Sequence, residues 1–77
     1  MIEAFVLIQA EVALSGSAAR ALGEIKGVRW TDVVTGPYDM IARVEAANMD
    51  ALGTLIVAKV QTVAGVARTL TCPIVRL

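Results

Sequence analysis

The chain has no histidine and only one cysteine among its 77 residues. Without histidine, it lacks the side chain that most often acts as a general acid or base near neutral pH, and no Ser/His/Asp or Cys/His site can form. A single cysteine excludes a disulfide within the chain, and a zinc site needs more sulfur and nitrogen ligands than remain. We therefore expect no metal, no cofactor and no enzymatic activity.

Net charge and long apolar runs are also lacking. Seven basic and seven acidic residues cancel, without a Lys/Arg cluster, so no electrostatic field would attract nucleic acid. No apolar run reaches the roughly 18–20 residues of a membrane span. The start, Met1–Phe5, has neither the basic flank nor the cleavage site of a signal peptide. We expect a cytoplasmic protein that binds neither nucleic acid nor membrane directly.

The chain is short but strongly apolar. Its length predicts one domain, residues 1–77, and a domain this small buries only about 60% of its unfolded surface. Disulfides and metals, the usual supports of small domains, are not expected here, which leaves a partner subunit. Hydrophobic residues make up 57% of the chain, against roughly 45–50% in typical domains. Alanine accounts for part of this surplus, and its exposure to water costs little free energy. The remaining hydrophobic residues predict self-association.

The first half of the chain reads as a strand followed by a helix. Ile2–Gln9 is nearly all apolar, which is typical of a central strand buried on both faces. Either Ser15 or Ser17 is a candidate N-cap for the helix that follows, and Gly27 suits its C-terminal end. Apolar residues recur through that helix at helical spacing: Ala18, Leu22 and Ile25.

The rest of the chain reads as a hairpin, a second helix and a last strand. Val28–Thr35 and Met40–Ala46 predict a hairpin, and Asn48 is a candidate N-cap. The next helix carries an apolar stripe that we expect in the core: Met49, Leu52, Ile56, Val60 and Val63. Val66–Leu77 predicts a last strand, which Pro73 marks as an edge strand or a bulge because proline lacks the N–H that a central strand donates.

The resulting order is βαββαβ, with Gly27-Val28 and Gly65-Val66 as matching starts of strands in two weakly repeated halves. This order predicts an α+β, ferredoxin-like domain, in which a four-stranded antiparallel sheet carries two helices on one face. The other sheet face also carries apolar residues. A partner's sheet would cover it and form a dimeric α+β barrel.

One segment, Val33–Asp39 between the hairpin strands, has two interpretations. As a tight turn, it uses Gly36 for flexibility, Pro37 to fix φ and Asp39 to bond a local N–H. As the rim of a pocket, it offers exposed backbone groups, an aromatic wall with a hydroxyl at Tyr38 and a carboxylate that can pair an ammonium. These groups together suit the head of an amino acid. The residues alone leave both interpretations open.

The segment Gly36-Pro37-Tyr38-Asp39, followed by the strand Met40–Val44, resembles the Gly-x-Tyr-Asp turn of the Lrp/AsnC family, the leucine-responsive and asparagine-responsive regulators. The resemblance is to the C-terminal effector-binding domain and extends over the whole chain. It includes the opening strand, the two Gly-Val pairs and Thr69-Leu70-Thr71 in the last strand.

The resemblance implies a domain that pairs sheet against sheet as a homodimer, with dimers that assemble into octamers or similar rings. It implies that an amino acid or related metabolite binds between dimers near the turn. The residues carried over are Gly36, Tyr38 and Asp39, with Thr71 as a weaker match and Val34 and Thr35 by adjacency. The family's helix-turn-helix is absent from this sequence, so we expect a stand-alone effector domain that acts through a full-length relative or as a free sensor.

Three alternatives remain beside this hypothesis. A small dimeric α+β-barrel enzyme shares the topology, but the lack of histidine disfavours it. A metabolic regulatory domain of the amino-acid-binding type is usually tethered to an enzyme. A structural module would pair with a full-length regulator and bind no ligand. Elsewhere, we expect Trp30 to anchor an interface or the core, Arg43 to form an ion pair or face solvent, and Cys72 to be a buried structural thiol.

Overall fold

The computed structural model describes all 77 residues and has the predicted order of elements. The strands are β1 (Ile2–Ala10), β2 (Val28–Val33), β3 (Met40–Ala46) and β4 (Val66–Pro73). A 3-10 turn (Val12–Leu14) leads into helix α1 (Ser15–Gly23), and helix α2 (Met49–Thr54) continues as a π-helical segment (Leu55–Val60). No helix is long and apolar enough to cross a membrane.

The four strands form one antiparallel sheet in the order β2-β3-β1-β4. Strand β1 lies at the centre, where Val6 is opposite Ala42 of β3 and Thr71 of β4. Strand β4 is at an edge, which confirms the prediction made from Pro73. The ferredoxin-like α+β fold predicted from the sequence is therefore confirmed.

Both helices pack on one face of the sheet. Alternate residues of β1 and β3 point to this face and are fully buried: Ala4, Val6, Ile8, Met40, Ala42 and Val44. The helices cover them with Ala18, Leu22, Leu52, Ile56 and Val60. These 11 residues are the only buried ones among 77, so one copy of the chain has a small core. A small core agrees with the expectation that the domain associates.

The opposite face of the sheet, here called the outer face, has no covering layer. Phe5, Leu7 and Ile41 are half-buried there, and Leu70 is 48% exposed. Trp30 lies on this face, 41% exposed, so it is not part of the core of one copy. Strand β1 was expected to be buried on both faces, but only its residues on the helix side are fully buried.

Cys72 also lies on the outer face, opposite Phe5, and is exposed. The prediction of a buried thiol is wrong for the single chain. Strand alternation placed Cys72 correctly in a strand, but it could not tell which face the helices cover.

Gly27 and Gly65 occupy equivalent places in the two halves. Both have positive φ, +101° and +96°, and each carbonyl accepts a backbone hydrogen bond of 2.8 Å, from Glu45 and Glu11 respectively. At Gly65 a Cβ would lie only 2.7 Å from Cβ of Leu14. The weak internal repeat seen in the sequence therefore corresponds to a repeated backbone feature.

The helix starts agree only partly with prediction. Asn48 caps α2, since its Oδ1 accepts a hydrogen bond of 2.8 Å from N–H of Ala51. The serine caps are wrong: the hydroxyls of Ser15 and Ser17 instead donate to the carbonyls of Val12 and Leu14. The 3-10 turn makes the chain helical before the serines are reached, so they sit inside the first turn.

One strand boundary and one core residue also differ from prediction. Strand β2 ends at Val33, two residues early, because Val34 and Thr35 belong to the turn. Met49 was expected in the core but is 55% exposed, because it lies on the side of α2 that faces the β4 edge.

Candidate functional site

The turn between β2 and β3 is closed by its own backbone. The N–H of Val34 donates to the carbonyl of Asp39 at 2.9 Å. Gly36 has φ +135°, yet a Cβ there would meet no atom within 4 Å. Glycine is thus required by the backbone conformation, which L side chains rarely adopt, and not by a lack of space.

Asp39 fixes the turn to the end of β1. Its N–H donates to the carbonyl of Ile8 at 2.8 Å, and its Oδ2 accepts from the N–H of Ala10 at 2.8 Å. The tight-turn interpretation predicted that Asp39 would bond a nearby N–H, but its partner, Ala10, is 29 residues away in the sequence. The β1–β3 ladder stops at Ile8 and Met40, so no carbonyl of β3 accepts from the N–H of Ala10. The carboxylate of Asp39 accepts that hydrogen bond instead.

Other groups of the turn have no hydrogen-bond partner within the chain. The side-chain amide of Gln9 donates to the carbonyl of Pro37 at 3.1 Å, which holds the turn from a second side. Tyr38 is half-buried, and its hydroxyl makes no hydrogen bond within the chain, nor does Oδ1 of Asp39. Thr35 and Gly36 are exposed, and Val34 is half-buried. The turn therefore presents a carboxylate oxygen, a phenol and free backbone from a rigid base.

Thr71 lies elsewhere. It points to the helix side of β4 opposite Val6, whereas the turn is bonded to Ala10, about 13 Å further along β1 at 3.3 Å per residue. Thr71 lines a groove of about 310 Å³ with Met49, Leu52, Gly53, Ile56, Val57 and Pro73. None of the five surface depressions is lined by residues 34–39. A single chain does not bring Thr71 to the turn.

An ion-pair cluster that the sequence did not reveal lies on the outer face. Glu3 accepts a hydrogen bond of 2.8 Å from Arg43 and another from Arg76. Both guanidiniums lower the pKa of the Glu3 carboxyl below its ordinary value of 4.5, and Arg43 has the larger effect. Arg43 thus forms an ion pair, one of its two predicted states.

Aromatic contacts adjoin this cluster. The guanidinium of Arg43 lies 5.4 Å from the centre of the Phe5 ring, and Phe5 and Trp30 pack with ring centres 6.1 Å apart. Arg29 and Glu45 form a second ion pair at 3.1 Å. Alternation in β1 and β3 places Glu3 and Arg43 on one face, but the register that joins them to Arg76 is not readable from sequence. The outer face is therefore apolar with fixed, paired charges.

No group of three or more histidine, cysteine, aspartate or glutamate side chains in the chain could hold a metal ion. The chemistry available at the turn is hydrogen bonding and charge pairing with a small polar ligand.

The fold and the turn can now be compared with known proteins. An uncharacterized HTH-type transcriptional regulator of Pyrococcus furiosus is 32% identical over 53 residues, which is 69% of this chain and 35% of that protein. A solved structure from Thermus thermophilus is 32% identical with a TM-score of 0.93, and it covers 100% of this chain and 96% of its own.

Two longer proteins share the fold. AsnC of E. coli is 25% identical with a TM-score of 0.90 over 99% of this chain and 52% of its own. A transcriptional regulator of Neisseria meningitidis, solved with L-Met, is 14% identical with a TM-score of 0.81 over 97% of this chain and 50% of its own. The chain therefore spans about half the length of these regulators and matches about a third of the Pyrococcus protein.

The family model described as the Lrp/AsnC ligand binding domain matches residues 3–76. That range includes both helices and all four strands except the first residue of β1, together with the turn that carries Gly36, Tyr38 and Asp39. The chain belongs to the Lrp/AsnC ligand-binding domain family.

Proposed function

We propose that the chain is an oligomeric module that senses an amino acid or a related small metabolite at its subunit interfaces. The observation that carries this proposal is the turn, where Asp39 Oδ1, the Tyr38 hydroxyl and the Gly36 backbone are free on a rigid base. A carboxylate oxygen can pair an ammonium, and a phenol can bond a carboxylate. The regulator from Neisseria meningitidis, solved with L-Met, supports an amino acid as the class of ligand.

The proposed site is completed by another subunit. Within one chain the turn lines no depression, and Thr71 is too distant to contact the same small ligand. Ligand sites are usually concave and bury most of a ligand's surface, so the turn alone is insufficient. We infer that the turn (Val34, Thr35, Gly36, Tyr38 and Asp39) provides one wall and that a neighbouring subunit, through residues such as Thr71, provides the other.

The outer face is the proposed homodimer surface. Phe5, Leu7, Trp30, Ile41 and Leu70 form an apolar area that nothing in the chain covers. Large exposed apolar patches on small domains mark interaction sites. The sheet of a second copy would cover this area as a dimeric α+β barrel, and dimers would join into an octamer or similar ring.

The proposal has three further parts. The module acts without catalysis and without contacting DNA itself, and it regulates transcription through a full-length Lrp/AsnC relative in the cytoplasm. The main alternative is a structural module that pairs with such a relative and binds no ligand. The polar groups of the turn that have no partner within the chain favour the sensing function.

Calorimetric titration with each of the twenty amino acids tests the proposal. We expect at least one to bind the wild type, with affinity reduced at least tenfold in Asp39→Asn and Tyr38→Phe. The matched control is Glu24→Gln, which removes an exposed carboxylate beyond α1 and should bind as the wild type does.

If no amino acid binds and Asp39→Asn behaves identically, the sensing function is wrong. Ligand-independent co-purification with a full-length relative would then favour the structural module.

A further inference from the structure

Arg68 differs from the other arginines on or beside the sheet in having no partner within the chain. Arg29, Arg43 and Arg76 each form an ion pair with a glutamate. Arg68, on β4, is exposed and makes no ion pair. An arginine guanidinium is a planar, charged fork of donors that matches a carboxylate with two hydrogen bonds. The guanidinium of Arg68 is therefore free to bind an anionic group.

A β-bulge determines the face to which Arg68 points. The β1–β4 register places Gln9 opposite Arg68 and Ala10 opposite Val66, so Ala67 is the additional residue of β4. In an unbroken strand, residues two apart point to the same face, and Val66 packs against the core. The bulge lets Val66 face the helices while Arg68 points to the outer face beside Gln9. Bulges commonly aim a side chain in this way next to functional sites.

Gln9 lies between Arg68 and the turn that joins β2 to β3. On one side it is opposite Arg68, and on the other its side-chain amide donates to the carbonyl of Pro37 at 3.1 Å. Continuation of the β1–β3 register by one residue brings Asp39 opposite Gln9. Since neighbouring strands lie about 4.8 Å apart, the Cα atoms of Asp39 and Arg68 are roughly 10 Å apart across β1. The turn and Arg68 therefore flank the same residue at one end of the sheet.

The two sides of Gln9 carry opposite charges. Oδ2 of Asp39 accepts from the N–H of Ala10, which leaves Oδ1 free, and Arg68 has a free guanidinium. A charge-assisted hydrogen bond is about 2.8 Å long, so one such bond at each end and the head of one amino acid between them fit a span of roughly 10 Å. An α-amino acid carries the matching charges, an ammonium and a carboxylate, on a single carbon atom.

Building on the proposed function, on which this inference rests, we propose that Arg68 binds the carboxylate of the ligand while Asp39 of the same chain binds its ammonium. One subunit then holds the head of the ligand, and the neighbouring subunit encloses the rest. Recognition of both charges restricts the site to free, zwitterionic α-amino acids. Amines, amino-acid amides and N-acylated amino acids each lack one of the two charges, so the site rejects them.

Calorimetric titration of the full chain with matched pairs of ligands tests the proposal. The probes are the twenty L-amino acids and, for each one that binds, its α-carboxamide, which keeps the ammonium and lacks the carboxylate charge. We expect the wild type to bind the carboxamide at least tenfold more weakly than the acid. Arg68→Gln should bind the acid at least tenfold more weakly than the wild type does, and the carboxamide with wild-type affinity.

Three further variants show which end of the ligand each residue binds. Arg20→Gln is the matched control, because Arg20 is an exposed arginine of α1 without an ion pair, and it should bind both ligands as the wild type does. Arg68→Lys keeps the charge but loses the planar fork, so it should retain a reduced preference for the acid. Asp39→Asn should bind both ligands more weakly and keep the full preference for the acid, since it acts on the ammonium.

The outcomes separate the role of Arg68 from the sensing function. If an amino acid binds and Asp39→Asn weakens its binding but Arg68→Gln does not, the role of Arg68 is wrong and the sensing function stands. Equal losses for the acid and the carboxamide in Arg68→Gln would show that Arg68 supports the structure or the assembly, which overturns the proposal. A wild type that binds both ligands equally well also overturns it. If no amino acid binds the wild type, both the role of Arg68 and the sensing function are wrong.

Discussion

Replacement of Asp39 separates the structural role of this side chain, as the acceptor of the Ala10 N–H, from the ligand-binding role that we propose for it. Asp39→Ala removes the acceptor of the Ala10 N–H and leaves that donor, which is partly buried, without a partner. A hydrogen bond to a charged group contributes about 1.5–3 kcal/mol net. In a domain of this size, 1 kcal/mol shifts Tm by roughly 4–8 °C, so we expect Asp39→Ala to lower Tm by about 6–24 °C.

Asp39→Asn is the informative companion. Its amide oxygen can still accept from Ala10, so the expected loss of stability is under about 1 kcal/mol, the difference between a charged and a neutral hydrogen bond. It cannot pair an ammonium, so ligand affinity should still fall.

Urea unfolding at fixed protein concentration, beside calorimetric titration, measures both effects. Equal destabilisation by the alanine and asparagine variants would refute the role of Asp39 as a simple acceptor. Unchanged affinity in the asparagine variant would refute its role in ligand binding.

The remaining predictions concern the fold. Gly65→Ala should destabilise by about 1–3 kcal/mol in urea unfolding, because its φ is +96° and the added Cβ would lie 2.7 Å from a neighbouring side chain. Asn48→Ala should cost about 1 kcal/mol of stability by the same assay, through loss of the helix cap, while Asn48→Asp retains it. The pKa of Glu3 is lowered by Arg43, so its stabilising effect is present above its unfolded pKa and is lost as pH falls through the folded value. The stabilities of wild type and Glu3→Gln in urea unfolding should therefore differ at neutral pH, and the difference should shrink as pH falls from 4.5 through the lower pKa of the folded state.

Controls for these variants come from the same chain. Gly23→Ala adds a methyl group to a helical glycine with no atom within 4 Å and should not destabilise. If it destabilises as much as Gly65→Ala, the steric account of Gly65 fails. A stability difference between wild type and Glu3→Gln that stays constant down to about pH 3, below the ordinary carboxyl range, would contradict the ion-pair account.

The order of elements could be predicted because local patterns determine it. The apolar run of β1, the alternation in β3 and the two Gly-Val pairs each reflect a backbone requirement within a few residues. Pro73 showed an edge strand because an absent N–H is incompatible with a central position. These signals are short-range, so a single sequence contains them.

Features that depend on distant contacts could not be predicted. Ser15 and Ser17 resemble caps, but the preceding 3-10 turn moves the N-cap position to Leu14. Met49 and Cys72 are exposed because of how the helices pack on the sheet. A single sequence does not show which face of the sheet the helices cover or which side of α2 faces the β4 edge. The turn was found by its residue types, but the bond from Asp39 to Ala10 needs the sheet register. Thr71 matched a motif, although its distance from the turn within one chain depends on the strand order.

The central claim is that association completes the ligand site, and a monomeric variant tests it most directly. Leu70→Lys places a charge at an exposed position of the outer face, 48% exposed, where it should block pairing without disturbing the core. Val12→Lys, at a position 92% exposed on the 3-10 turn, is the control. Where sedimentation velocity finds Leu70→Lys monomeric, calorimetric titration with the amino acid that binds the wild type should show no binding by this variant and unchanged binding by Val12→Lys. Wild-type affinity in that monomer, with the turn intact, would contradict the account.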